Sequence, residues 1–182
     1  MKDLILKAAR YAAKAHEGQT RKDGVTPYIV HPGRVAAAAT LHPLGTPEMV
    51  AAAWLHDTLE DTPATYTELL DLFGSRVADL VRELTNQFDK HQHPDKNRRE
   101  RKALEIERLA GVGPEAKLLK LLDRRDNIND APGPDPGFLR LFAGETRDLM
   151  AAVGDADLAL RAEVLVAVAK IEADLEAEPA RS

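Results

Sequence analysis

The sequence predicts an all-α chain. Apolar residues recur at helical spacing in segment after segment, Gly and Pro clusters separate those segments, and the one strand-like stretch has no strand partner elsewhere. Of the 182 residues, 44% are hydrophobic and 30% charged. That balance is ordinary for a soluble globular protein, and the length suffices for one domain with a real core. Residues 1–176 are expected to form that domain, with 177–182 as a frayed tail.

The elements follow in order. Leu4, Ile5, Ala8, Ala9, Ala12 and Ala15 place a helix over residues 1–17. Gly18 to Pro32 is turn-rich, with Gly24, Pro27 and Pro32 as breakers. Residues 33–41 are Ala-rich and helical until His42-Pro43. Thr46-Pro47-Glu48 supplies an N-cap, a first-turn Pro and a first-turn acid for a helix to about Leu59. Thr65 and Glu68 have capping-box spacing for a short helix that Gly74 stops, and Ser75 opens another to about Phe88. Gln87 to Asn97 is a polar loop. Helices are expected over 97–110, 114–128, 136–153 and 156–176, and Pro132 to Gly137 between two of them cannot be helical. Ala162 to Ala169 is Val-rich enough to pass for a strand; without a partner it is read as helix, and its apolar excess suggests burial or contact with a second copy. The chain is expected to fray after Glu172.

Composition narrows the function classes. The net charge of −5 gives no general attraction for nucleic acid or acidic membranes, so an anionic ligand must meet a local basic pocket. The absence of cysteine excludes disulfides and thiolate metal sites and suits a reducing cytoplasm. The opening MKDLILKAAR lacks the pattern of a signal peptide, and no apolar run approaches the ~20 residues of a membrane helix.

The candidate site lies in the string HDTLEDT, residues 56–62, at the end of the apolar stretch Met49 to Leu55. Charge at the edge of an apolar helix needs partners, and a divalent ion is the simplest. On one helix His56 and Asp57 stand about 100° apart and can reach one ion from two sides. Glu60 and Asp61 follow one turn later on the same side. His31, before Pro32, and Asp123, late in a helix, complete a set of four metal-type residues. Imidazole mixed with carboxylate suits Mn²⁺, Fe²⁺ or Zn²⁺ better than Ca²⁺. Four ligands leave open positions for water or a phosphate oxygen. Spacing alone weighs this metal reading evenly against an ordinary charged helix end.

The strings AHEGQTRKDGVTPYIVHP (15–32), WLHDTLEDT (54–62), FGSRVADLV (73–81) and AKLLKLLDRRDN (116–127) change that balance. Together they resemble the hydrolase domain of the RelA/SpoT alarmone enzymes, a branch of the HD-domain phosphohydrolases, over about residues 1–150. The resemblance implies an all-helical bundle, Mn²⁺, and removal of the 3′-pyrophosphate from guanosine tetra- or pentaphosphate. No synthetase or regulatory segment is visible, so a stand-alone hydrolase is expected. By position, His31, His56, Asp57 and Asp123 match the family's metal ligands. Glu60 and Asp61 match the acidic pair that handles the attacking water. Arg21 and Lys22 match residues that face the nucleotide, and Asn127 one near the sugar and base. Lys120 and Arg124 are expected to pair with acids, His16 to brace the Gly18–Pro32 loop, and His91 and His93 to face solvent.

The match is imperfect at Leu122, Arg125, Asp126 and Gly144. The family usually has Ala before the ligand Asp, an uncharged residue then His or Tyr before the Asn, and often an aromatic residue near the place of Gly144. These changes are expected to bear on the substrate pocket more than on the metal. Two alternatives stay open: a phosphohydrolase for another nucleotide, such as a phosphorylated dinucleotide, or a regulator that binds the alarmone without turnover. A small nucleotide partner is expected, with no nucleic acid or membrane; nothing here opposes a homo-oligomer.

Overall fold

Side-chain caps set where several helices begin. A computed structural model describes residues 2–130 and 135–177; the expected loop residues 131–134 and the tail 178–182 lie outside the described residues. The helices are α1 (Lys2–Ala15), α2 (Val30–Leu41), α3 (Pro47–Leu55), α4 (Thr58–Asp61), α5 (Tyr66–Phe73), α6 (Ser75–Leu84), α7 (Arg98–Ala110), α8 (Pro114–Asn129), α9 (Pro136–Val153) and α10 (Leu158–Ala177). Thr46 and Thr65 accept the backbone N–H groups of Met49 and Glu68, as capping predicts. Asn97 and Glu100 form a reciprocal capping box. The all-α reading holds: the described residues contain no strand, only an isolated bridge between Thr20 and Pro27.

Several boundaries differ from the sequence reading, each for a local reason. α2 begins at Val30, so His31 sits in its first turn; Pro32 is tolerated there because first-turn N–H groups have no helical partner. α3 stops at Leu55 rather than near Leu59, and His56-Asp57 form a turn before α4. His56 Nδ1 lies 2.8 Å from the Ala53 carbonyl, and the Thr58 hydroxyl donates to the Leu55 carbonyl at 2.6 Å. Side chains thus occupy acceptors that a continuous helix would use. α6 ends at Leu84, where Thr85 turns extended, rather than at Phe88. Pro136 and Gly137 open α9, with Asp135 as its cap, instead of staying in the loop. α10 is helical as read and runs past Glu172 to Ala177, held by the Arg147–Glu172 ion pair and by buried Leu175.

The core is built around α3. Met49, Val50, Ala51, Ala52, Ala53 and Leu55 are all buried, so α3 is covered on nearly every side, as a helix without a polar face must be. α1, α2, α6 and α8 surround it, and α8 in turn carries α9 and α10. Small residues allow the close approach of α2: a Cβ on Gly33 would lie 3.1 Å from the Trp54 ring. This contact sits two residues after His31 and two before His56, and so fixes the distance between them.

Widening that contact should therefore be felt at the site. Gly33→Val is expected to destabilise the fold by about 1–3 kcal/mol through overpacking. It should also shift the emission of Trp54, the chain's single tryptophan. Chemical denaturation followed by fluorescence checks both; unchanged stability and emission would mean that the helices can part freely.

Candidate active site

Four side chains from three places in the chain converge. His31 comes from the start of α2, His56 and Asp57 from the turn after α3, and Asp123 from α8. His56 Nε2 lies 3.2 Å from His31 Nε2 and 3.1 Å from Asp57 Oδ2. His31 Nε2 lies 3.2 Å from Asp123 Oδ1 and 3.6 Å from Asp57 Oδ2, and His56 Nε2 lies 3.8 Å from Asp123 Oδ1. His31, His56 and Asp123 are buried. The interruption of the helix at His56-Asp57 does not separate this pair; it turns both toward one point.

This donor set fits a divalent ion. The Ala53 carbonyl beside His56 Nδ1 and the Asp126 carboxylate 2.7 Å from His31 Nδ1 are acceptors, so each ring keeps a proton on Nδ1. A neutral ring then aims a bare Nε2 at carboxylate oxygens, and lone pairs face lone pairs unless a cation lies between them. His, His, Asp and Asp suit a borderline transition ion, and the spacings are those of neighbouring ligands about 2 Å from a common centre. Among the described residues, His31, His56 and Asp123 are the group that could hold a metal. His91 and His93 are elsewhere, His93 stacked on Phe88.

The acids beside this cluster are wired to it. The Tyr28 hydroxyl lies 2.8 Å from Asp57 Oδ2 and 2.9 Å from Asp61 Oδ2. Burial, with Asp57 and Asp61 close by, raises the Tyr28 pKa above its ordinary value, so the phenol keeps its proton as a donor. Glu60 accepts the backbone N–H of Asn86 at 3.1 Å. Both Glu60 and Asp61 reach solvent, yet partial burial and the Asp57 charge raise their pKa values. His16 stacks on Tyr28 and bonds Gln19, against the loop it was expected to brace.

A cavity of about 950 Å³ opens next to the cluster, with Glu60, Lys102, Lys120, Arg124, Arg98 and Gly144 among its lining residues. Lys120 bridges the two spaces, its ammonium 2.9 Å from Asp123 Oδ2. Burial lowers the pKa of Lys102, and despite Glu145 nearby, the Arg124, Arg98 and Lys120 charges add to the effect. Arg98 pairs with Glu145 at 2.9 Å, and Lys102 approaches the same carboxylate at 3.9 Å. The predicted nucleotide residues lie elsewhere. Arg21 donates to Asp130 at 2.7 Å and Asn127 at 3.1 Å, and Lys22 stands over the Phe138 ring. Asn127 donates to Asp123 at 2.6 Å.

Of the four family departures, only Gly144 lines the cavity. Leu122 is in the core, Arg125 pairs with Glu163, and Asp126 touches His31. Leu122 and Arg125 thus lie away from the cluster on α8, while Asp126, one turn after Asp123, meets it at His31. Tyr28, Asp126 and the Lys102 wall were missed. A signal existed for α8: Asp123, Asp126 and Asp130 recur at i, i+3 and i+7, a carboxylate stripe along one helix face.

Helices around a His–His-Asp–Asp cluster define the class. The HD domain family matches residues 8–157, and the chain belongs to the HD-domain family of hydrolases. Its relatives narrow the branch. The human guanosine-3′,5′-bis(diphosphate) 3′-pyrophosphohydrolase MESH1 is 43% identical over 131 residues, spanning 69% of this chain and 68% of that one. The bifunctional (p)ppGpp synthase/hydrolase SpoT of Escherichia coli is 40% identical over 139 residues, 76% of this chain but 19% of SpoT. A solved structure described as a metazoan SpoT orthologue that hydrolyses ppGpp superposes with a TM-score of 0.70 at 28% identity, covering 94% of both chains.

Protons must balance this cluster when no metal does. Burial would lower His31, but Asp123 and Asp126 outweigh it and hold the ring at about 9 against an ordinary 6.5. His56 rises too, Asp57 and Asp123 outweighing burial. Burial would raise Asp123, but Lys120 and the imidazoles keep it well below the carboxylate range. A raised imidazole binds its proton more tightly in the folded state. Its stabilisation is complete below pH 6.5 and fades as pH climbs through about 9. Metal-free protein should thus lose thermal stability across that window, and Mn²⁺ should restore most at its alkaline end. A melting temperature flat across the window, with and without metal, would contradict this charge balance.

Proposed function

We propose that this protein is a Mn²⁺-dependent hydrolase that removes the 3′-pyrophosphate of guanosine tetra- or pentaphosphate, leaving GDP or GTP. One observation carries the reading: a His–His-Asp–Asp cluster lies beside a cavity lined by six cationic and five acidic side chains, with Lys120 reaching from one to the other, in a chain whose net charge is −5. A polyanion entering such a chain needs those cations. The 3′-pyrophosphohydrolase activity of the human relative supports the same substrate. Residues 1–176 act as one unit, in the reducing cytoplasm that a cysteine-free chain suits. No described helix is long and apolar enough to cross a membrane.

In this reading His31, His56, Asp57 and Asp123 would hold the ion, which would supply Lewis acidity at the scissile phosphate. Glu60 and Asp61 orient the attacking water and accept its proton; their raised pKa values bring them nearer neutrality, where a general base works best. Tyr28 holds Asp57 and Asp61 at a fixed separation. Lys120, Arg124, Lys102 and Arg98 hold the polyphosphate in the cavity. Arg21, Lys22 and Asn127, outside the cavity lining, contact the sugar and base. Water adds to the phosphorus bonded to the 3′ oxygen, that P–O bond breaks, and the proton that Glu60 or Asp61 takes from water goes to the departing 3′ oxygen, giving the nucleotide hydroxyl and pyrophosphate. A regulator that binds without turnover would have no use for the acidic pair Glu60 and Asp61.

Incubating the Mn²⁺-loaded protein with a nucleotide panel tests the substrate; pyrophosphate and GDP or GTP are the expected products. Glu60→Gln keeps shape but cannot take a proton, and should lose roughly 10²-fold or more in kcat with metal retained. Lys102→Ala should raise KM more than it lowers kcat if its contact is equal in the ground and transition states. A Glu60→Gln enzyme of full activity would remove Glu60 from the chemistry.

A further inference from the structure

A ligating imidazole must present one bare nitrogen and keep its proton on the other, and the partner of the second nitrogen decides which is which. For His56 that partner is the Ala53 carbonyl, which no side-chain substitution removes. For His31 it is a side chain. Asp126 Oδ2 lies 2.7 Å from His31 Nδ1. Asp126 is itself gripped by Arg34, with Nε 2.7 Å from Oδ1 and Nη2 3.1 Å from Oδ2. That two-pronged grip fixes the carboxylate plane as well as its position.

The grip continues into a ring. Arg34 also reaches Asp130 Oδ1 at 2.6 Å, and Asp130 Oδ2 accepts from Arg21 Nε at 2.7 Å. Arg21 donates to Asn127 at 3.1 Å, and Asn127 donates to Asp123 Oδ1 at 2.6 Å. Starting from His31, the path Asp126, Arg34, Asp130, Arg21, Asn127, Asp123 returns to the cluster through side-chain bonds alone. Two of the four converging residues, His31 and Asp123, are therefore braced from behind by one network.

From this geometry we propose that Asp126 is a positioning residue of the metal centre, holding His31 with Nδ1 protonated and Nε2 bare toward Asp57 and Asp123, and that Arg34 holds Asp126 in register. The inference rests on the reading of His31 as a metal ligand. A plain ion pair between α2 and α8 would tie the helices together with no effect on which His31 nitrogen carries the proton or on the affinity for metal.

Four variants separate these roles: Asp126→Ala, Asp126→Asn, Arg34→Ala and His31→Ala. Mn²⁺ affinity is read by calorimetry, and the Zn²⁺-loaded, ¹⁵N-histidine protein shows by NMR whether His31 keeps a slowly exchanging Nδ1 proton. Asp126→Ala should bind Mn²⁺ about 10–100-fold more weakly and lose that proton signal. Asp126→Asn keeps an acceptor oxygen of nearly the same shape, so the signal should persist and the loss in affinity should be smaller. Arg34→Ala should weaken binding less than Asp126→Ala does. If Asp126→Ala does not fold, the Asp126→Asn and Arg34→Ala affinities decide: wild-type values in both overturn the role. Wild-type affinity and an unchanged proton signal in folded Asp126→Ala, with His31→Ala stripped of metal, overturn it as well and leave the ligand set standing. Metal retained by His31→Ala overturns the ligand set itself.

Discussion

Lone pairs aimed at one point, which only a metal ion or bound protons can reconcile, are the constraint on which this structure depends. His31 and His56 keep their protons on the outer nitrogen and turn the inner one toward two carboxylates. Such an arrangement is costly in a protein interior unless a cation completes it. Much of the architecture serves to hold it: the absent side chain of Gly33 lets α2 close on α3, and the turn at His56-Asp57 aims two adjacent residues inward. The half-buried Lys120 ammonium supplies one permanent positive charge beside Asp123.

Positive charge is divided between two faces of the site. On one face Arg21 and Arg34 are paired with Asp130 and Asp126, so their charge goes into rigidity. On the other, Lys102, Arg98, Lys120 and Arg124 crowd one cavity wall, where Lys102 is pushed below the usual lysine range. A cation whose protonation burial and its neighbours disfavour gains most from an incoming polyanion. The acid chemistry sits between the faces, with Glu60 on the cavity lining and Asp61 bonded through Tyr28 to Asp57.

Much of the fold was legible because helix signals are local. Thr46, Thr65 and Gly74 mark helix ends by side-chain or backbone chemistry that needs no tertiary partner. The misplaced boundaries at His31, Leu55 and Leu84 depend on side chains that compete for backbone carbonyls, or on a Pro in a first turn, and composition does not expose these. The converging residues His31, His56, Asp57 and Asp123 could be named from motif order. The role of Asp126 could not, because its partners Arg34 and His31 are about ninety residues away in the chain. The cavity wall was illegible for the same reason: Lys102 of α7 and Arg124 of α8 meet only in the folded protein.

Anomalous scattering from crystals of the Mn²⁺-loaded protein, recorded at the manganese edge, tests the central claim most directly. A single strong peak bounded by His31 Nε2, His56 Nε2, Asp57 and Asp123 is the predicted result. No peak at that point, or a dominant one elsewhere, such as at His91 and His93, would contradict the account of why these four side chains converge.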